Sequence, residues 1–162
     1  MQKISPCLWF DNQAEEAANY YTEVFPNSKI GDTSRYDAEA AKVSGQPEGS
    51  VLVVEVELDG QKFTLLNGGP IFKFNEAISF IVDCADQAEV DRYWEKLSAI
   101  PESEQCGWCK DKYGVSWQIV PKQLGQMLSD PDKEKAQRVM HAMLQMKKID
   151  IDKLKKAYDR KS

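Results

Sequence analysis

A chain of 162 residues with 26 acidic against 21 basic side chains carries a net charge of −5 and one histidine. That balance lacks the basic stripe a nucleic-acid partner needs, and no apolar run approaches the length of a membrane span, so neither nucleic acid nor membrane is expected as a partner. Met1 to Pro6 lack the apolar stretch of a signal peptide, which makes the cytoplasm the expected compartment, and the four cysteines are expected there as thiols rather than as a disulfide scaffold.

Lys3 to Phe10 is a short apolar run interrupted by Pro6, which has no N–H to donate, so an edge strand is predicted. Asp11 is placed to cap a helix, whose apolar face is Ala14, Ala17, Ala18, Tyr21, Val24 and Phe25. Pro26-Asn27 ends it. Lys29 to Tyr36 is a candidate strand. Asp37 to Gly49 is polar, with Gly45, Pro47 and Gly49, and is expected to be a loop. Ser50 to Leu58 is strongly β-forming. Asp59-Gly60 suits the tight turn into a returning strand, Gln61 to Asn67, and Gly68-Gly69-Pro70 breaks that strand.

The pattern then restarts. Ala77 to Cys84 is a predicted strand, and Asp86 with Glu89 reads as a capping box. Val90, Tyr93, Trp94 and Leu97 fall at the spacing of one buried helix face. Pro101 closes that helix, and two strands are expected on either side of Tyr113-Gly114. Gln13-Ala14-Glu15 matches Gln87-Ala88-Glu89, and Asp59-Gly60-x-x-Phe63 parallels Tyr113-Gly114-x-x-Trp117. The fold class is therefore α+β, built from two β-α-β-β-β modules, residues 1–70 and 76–121. Residues 122–162 read as a helical extension. Asp130-Pro131 is its N-cap signal, Ala136, Val139, Met140, Met143 and Leu144 form a stripe, and a last helix runs to Tyr158. The lysines from Lys153 to Lys161 form a solvated face.

The order of elements and several runs resemble the PhnB-like branch of the vicinal oxygen chelate (glyoxalase/bleomycin-resistance) superfamily. The runs are Leu8-Trp9-Phe10-Asp11 with Ala14-Glu15-Glu16-Ala17, Asn67-Gly68-Gly69-Pro70, Glu76-Ala77-Ile78-Ser79-Phe80, and Asp86-Gln87 with Glu89-Val90-Asp91 and Trp94. Cys106 to Pro121 and Met146 to Ile151 complete them. The resemblance implies a glyoxalase-like domain over 1–121 and a homodimer, which unpaired strand edges would favour. Metal-dependent relatives take one ligand from the first and one from the last strand of each module. Those positions hold Ile4 and Thr64, then Ser79 and Gln118, none of them an imidazole or a carboxylate. No metal and no cofactor are expected. The branch is often labelled 3-demethylubiquinone-9 3-methyltransferase-like, yet the chain has no glycine-rich strand-to-helix loop for S-adenosylmethionine.

Candidate pocket residues for an unknown small molecule are Trp9, Tyr36, Ser79, Trp108, Trp117 and Gln118. Aromatics can line a pocket or fill a core, and both readings stay open for Trp108 and Trp117. Ser79 and Gln118 bring hydrogen-bonding capacity into apolar strands, which is costly unless satisfied. Cys106-Gly107-Trp108-Cys109 has C-x-x-C spacing but sits in predicted strand or hairpin, and in a strand residues three apart face opposite ways. Glu15-Glu16 and Glu55 with Glu57 fall on predicted outer faces. His141 stands among methionines on a helix, so no Ser–His–Asp arrangement can form. Three functions are carried forward: a metal-free binder of a small apolar or planar molecule, a superfamily enzyme of lyase, isomerase or dioxygenase type, and a dimeric scaffold.

Overall fold

A computed structural model describes residues 2–160, which divide after Phe74 into two compact units. Lys161, the end of the predicted lysine face, lies outside the described residues. The fold class is α+β, and each unit begins strand, helix, then further strands.

The first unit contains β1 (Cys7–Phe10), α1 (Ala14–Val24), β2 (Lys29–Arg35), α2 (Ala38–Ser44), β3 (Val51–Leu58) and β4 (Gln61–Asn67). Its sheet runs β1-β4-β3-β2, with β1 parallel to β4 and the other pairs antiparallel. Pro6 falls just before β1 and contributes only its carbonyl, which accepts from the Thr64 N–H at 3.0 Å. Alternation then sorts the side chains. Leu8, Phe10, Val54, Val56, Phe63 and Leu65 are buried on one face. The helix α1 packs there, burying Ala14, Ala17, Ala18, Tyr21 and Val24. Each buried large side chain is worth about 1.5–3 kcal/mol of transfer free energy.

Two expectations for this unit are corrected. Asp11 does not cap α1. The helix starts after Gln13, and Asn67 at the far end of β4 accepts from the Ala14 N–H at 2.8 Å instead. Residues 37–49 are not simply a loop, because they contain α2. The Asp37 carboxylate accepts from the Ala40 N–H at 2.8 Å, and Gly45 takes the left-handed φ of 75° that stops the helix. Gly45 is thus a helix terminator.

The second unit contains β5 (Ser79–Cys84), α3 (Gln87–Leu97), a 3-10 turn (Pro101–Ser103), β6 (Trp108–Lys110) and β7 (Ser116–Pro121). Three helices follow: α4 (Lys122–Leu128), α5 (Lys133–Leu144) and α6 (Ile151–Asp159). Asp86 caps α3 as expected, and Glu89 reaches back one residue beyond the cap. Asp86 accepts from the Glu89 N–H at 2.9 Å, while the Glu89 carboxylate reaches back to the Ala85 N–H at 2.7 Å. Val90, Tyr93 and Leu97 are buried; Trp94, expected beside them, is only half-buried.

The sheet here has three strands, ordered β5-β7-β6, with β5 parallel to β7. The strand that would match β2 does not form among the described residues. Among the described residues, the backbone hydrogen bonds from 98–105 to β6 are that from the Ala99 N–H to the Lys110 carbonyl at 2.8 Å and those of the Gln105–Trp108 bridge. Pro101 lies between those contacts and starts the 3-10 turn, and a proline cannot donate to a ladder. Gln105 and Trp108 exchange two backbone hydrogen bonds of 3.1 and 2.8 Å around Cys106 (φ 51°) and Gly107 (φ 85°). Positive φ at both central residues defines a type I′ hairpin turn.

The C-terminal helices build their own core from Leu124, Met127, Val139, Ile149 and Leu154. Asp132, not Asp130, caps α5, while Asp130 accepts from the Tyr158 hydroxyl at 2.5 Å. Met140 and Leu144, expected on the buried stripe, are exposed. The extension is anchored by backbone. Cys106 N–H donates to the Met146 carbonyl at 2.9 Å and Gly107 N–H to the Lys147 carbonyl at 2.7 Å. The Gln87 side chain donates to the Ile149 carbonyl at 3.0 Å and accepts from the Ile151 N–H at 2.8 Å.

Candidate functional site

The two faces of the second sheet carry different chemistry. In register, Phe80, Trp117 and Cys109 lie abreast, and Val82 with Ile119 follows one rung on; Trp117, Cys109 and Ile119 are buried. This is the side that α3 covers. Trp117 is therefore core, 3% exposed, and its indole N–H donates to Asp111 at 2.9 Å. Asp111 is itself fully buried, and its carboxylate also accepts from the Tyr113 and Val115 N–H groups at 2.9 and 3.1 Å. One carboxylate thus closes the Tyr113-Gly114 turn and fixes the tryptophan, since a buried carboxylate must be fully hydrogen-bonded.

The opposite face has two rows. Lys110, Ser116 and Ser79 stand abreast in one, and Trp108, Gln118 and Ile81 in the next. Strand alternation puts all six on the same side. The Gln118 amide donates to the Ser79 hydroxyl at 2.9 Å, so these two predicted residues do meet. Ile81 is 60% exposed.

An open cavity of ≈ 420 Å³ lies against β6, bounded by Trp108, Lys110 and Ser116 from the strands and by Glu76, Glu102 and Gln105 from flanking segments. Lys110 forms an ion pair with Glu76, which its hydrogen bond holds below the usual carboxylate range. The Lys110 side chain is 19% exposed and that of Glu76 61%. The Ser116 hydroxyl is buried and has no hydrogen-bond partner among the described residues. Trp108 is among the candidates the sequence offers; Lys110, Ser116 and Glu76, which line the same cavity, are not. Their signal was the i, i+2 pairing of Trp108 with Lys110 and of Ser116 with Gln118, which becomes a site only once the register is fixed.

In the first unit, Tyr36 is buried and its hydroxyl donates to the Asn67 carbonyl at 2.6 Å, so it closes the end of the sheet. Trp9 is half-buried. Its indole N–H donates to the Gly69 carbonyl at 2.9 Å, and a Cβ on Gly68 would come within 2.2 Å of the ring. The predicted Asn67-Gly68-Gly69-Pro70 break is shaped by this close approach, which only glycine permits. Trp9 also meets Phe72 edge-on at 4.9 Å.

The positions where the superfamily resemblance implies a metal do not fit one. Ile4 lies outside β1 and is 85% exposed. The register pairs Thr64 with Cys7 as it pairs Gln118 with Ile81, so Ser5 rather than Ile4 answers Ser79. The Thr64 hydroxyl is bonded to both Glu55 oxygens at 3.0 Å, and the Gln118 amide to Ser79. Neutral hydroxyls and an amide are poor ligands for a catalytic divalent ion. Among the described residues no three His, Cys, Asp or Glu side chains gather closely enough to hold a metal.

All four cysteines are free thiols. Cys109 is buried, and burial, then Asp111 and Glu104, push its thiol up to about 12. Cys106 stands on the hairpin turn. A buried, electronegative setting opposes the low thiol pKa of a redox C-x-x-C. His141 is exposed on α5.

Residues 2–120 match the family described as 3-demethylubiquinone-9 3-methyltransferase. No curated protein matches the chain. Among solved structures, a PhnB protein from Bacillus cereus, named for the same methyltransferase family, is 36% identical with a TM-score of 0.61, covering 74% of this chain and 99% of its own. Protein PA1353 from Pseudomonas aeruginosa is 15% identical with a TM-score of 0.55, over 75% of this chain and 98% of its own.

Proposed function

We propose that this chain, which belongs to the 3-demethylubiquinone-9 3-methyltransferase (PhnB-like) family, binds a small planar molecule on the helix-free face of its second sheet and works as a homodimer. The supporting observation is the ≈ 420 Å³ cavity, in which the half-buried Trp108 borders the buried, unpartnered Ser116 hydroxyl. An aromatic wall with a few convergent polar groups is the usual build of a small-molecule pocket, and this volume falls in the usual range. An unsatisfied buried hydroxyl costs roughly 1–3 kcal/mol, which a ligand or an ordered water would recover. Ser79 stands on the rung of Ser116 and Gln118 on that of Trp108, where they offer further contacts.

Methyl transfer is not part of this reading, because the sequence offers no loop for S-adenosylmethionine and the family's name travels with its fold. A second reading is an enzyme. Glu55 favours it: its exposed carboxylate accepts from the Thr64 hydroxyl, which orients it on the open face of the first sheet.

Native mass spectrometry of untagged protein purified from cells tests both the pocket and the assembly. A dimer carrying an extra small organic mass is the expected result, with that mass lost on Trp108→Ala. One metal ion per subunit would instead move the enzyme reading to first place.

A further inference from the structure

We infer that the Glu76–Lys110 ion pair is a displaceable latch, and that the ligand is an aromatic acid whose carboxylate takes the place of Glu76 on Lys110. This rests on the binding reading above and names its ligand class. The first observation is the asymmetry of the pair. Lys110 is largely buried at 19% exposure, while Glu76, on the segment before β5, is 61% exposed. The cation is fixed in the cavity wall and the anion sits on the solvent side, where an ion pair is weak and easily exchanged.

The second observation is Ser116. Lys110 and Ser116 are cross-strand partners on β6 and β7, which sets their Cβ atoms about 4.5–5.5 Å apart. An ammonium carries three N–H donors and a hydroxyl one more. Ser116 uses none of its capacity within the described residues. The two lie side by side, and because the Ser116 hydroxyl is buried, a carboxylate taking a bond from each would have to reach below the surface once Glu76 has left.

Trp108 supplies the aromatic part. It lies two residues before Lys110 on the same face, a rise of about 7 Å along the strand. A ligand that stacks on the indole and reaches Lys110 must carry its acid group roughly that far from its stacked ring, as a bicyclic acid does. Glu102 on the exposed rim adds a second carboxylate. An incoming anion would be repelled if Glu76 stayed, so the acid must exchange with Glu76 and cannot simply add to the site.

Calorimetric titration of 2-naphthoate and its neutral analogue 2-naphthalenemethanol tests the latch. The wild-type protein should prefer the acid by about tenfold, the scale of one charge-assisted contact. Glu76→Gln removes the competitor and should raise that preference about two- to fivefold. Lys110→Gln should abolish it, and Lys110→Arg should keep most of it. Matching thermal unfolding of the variants separates these effects from misfolding. Equal affinity for both probes, or an unchanged preference in Glu76→Gln, would overturn the latch and leave the pocket reading standing. Failure of both probes to bind the wild-type protein would overturn the two together.

Discussion

The two sheets set different chemistry on equivalent rungs. Thr64 and Gln118 occupy the same place in their units, and the residue across the antiparallel ladder is Glu55 in one and Trp108 in the other. One rung away, Glu57 of the first unit pairs with Lys29 at 3.6 Å, where the second has Lys110 paired with Glu76. The first open face is thus a charged surface and the second an aromatic pocket wall. The helices differ in the same spirit. The first turn of α1 is held by Asn67, 53 residues away, and that of α3 by its own Asp86. Two modules can keep one backbone plan while their side chains solve each local problem differently. A remote cap ties the helix to its sheet; a local cap ties it only to itself.

Substitutions can break or sharpen that contrast. The largest loss is expected from Asp111→Ala, which strands Trp117 and two backbone N–H groups and should cost about 3–5 kcal/mol in a urea titration. Asn67→Ala should come next at about 2–3 kcal/mol, because it removes the α1 cap and the 3.1 Å bond to the Val51 carbonyl together. Asp86→Ala should cost about 1 kcal/mol, the usual worth of a local cap. If Asn67→Ala proved no worse than Asp86→Ala, the distinction between remote and local capping would fail.

The smallest effect concerns thiols. Burial, ahead of nearby carboxylates, pushes both Cys84 and Cys109 up to about 12. A thiol raised on folding contributes stability that is fully present below the ordinary thiol range and is lost as pH climbs towards 12. At pH 8 a thiol reagent should modify Cys106 in the folded protein and reach Cys84 and Cys109 only in denaturant. Prompt labelling of Cys109 without denaturant would show that β6 is not buried as described.

Much of this architecture was legible from local chemistry. Asp59-Gly60 turns where it should, with φ of 45° and 84°, and the α3 cap forms from its own residues. What the sequence hid depends on partners far along the chain. Asn67 reads as the last residue of a strand before a glycine break, and its capping role shows only where β4 ends beside α1. Cys106 is no usual turn signal, because few cysteines adopt positive φ, so the sequence leaves strand and hairpin both open across the C-x-x-C spacing. The same limit divided the tryptophans. Trp108 and Trp117 are equally aromatic, and only the pairing of Cys109 with Trp117 shows that they face opposite ways. Ser79 with Gln118 was singled out by module alignment, which needs no register. Lys110 with Ser116 was not, because that pair exists only in the ladder.

The anchoring of the C-terminal helices at Cys106 and Gly107 has a kinetic consequence. Two adjacent amide hydrogens on a tight turn, which would exchange with solvent almost at once if the turn were uncovered, are held by carbonyls of the extension. Their exchange rates therefore act as a clock for how often the extension lifts off, read from inside the sheet unit and without a label on the moving part.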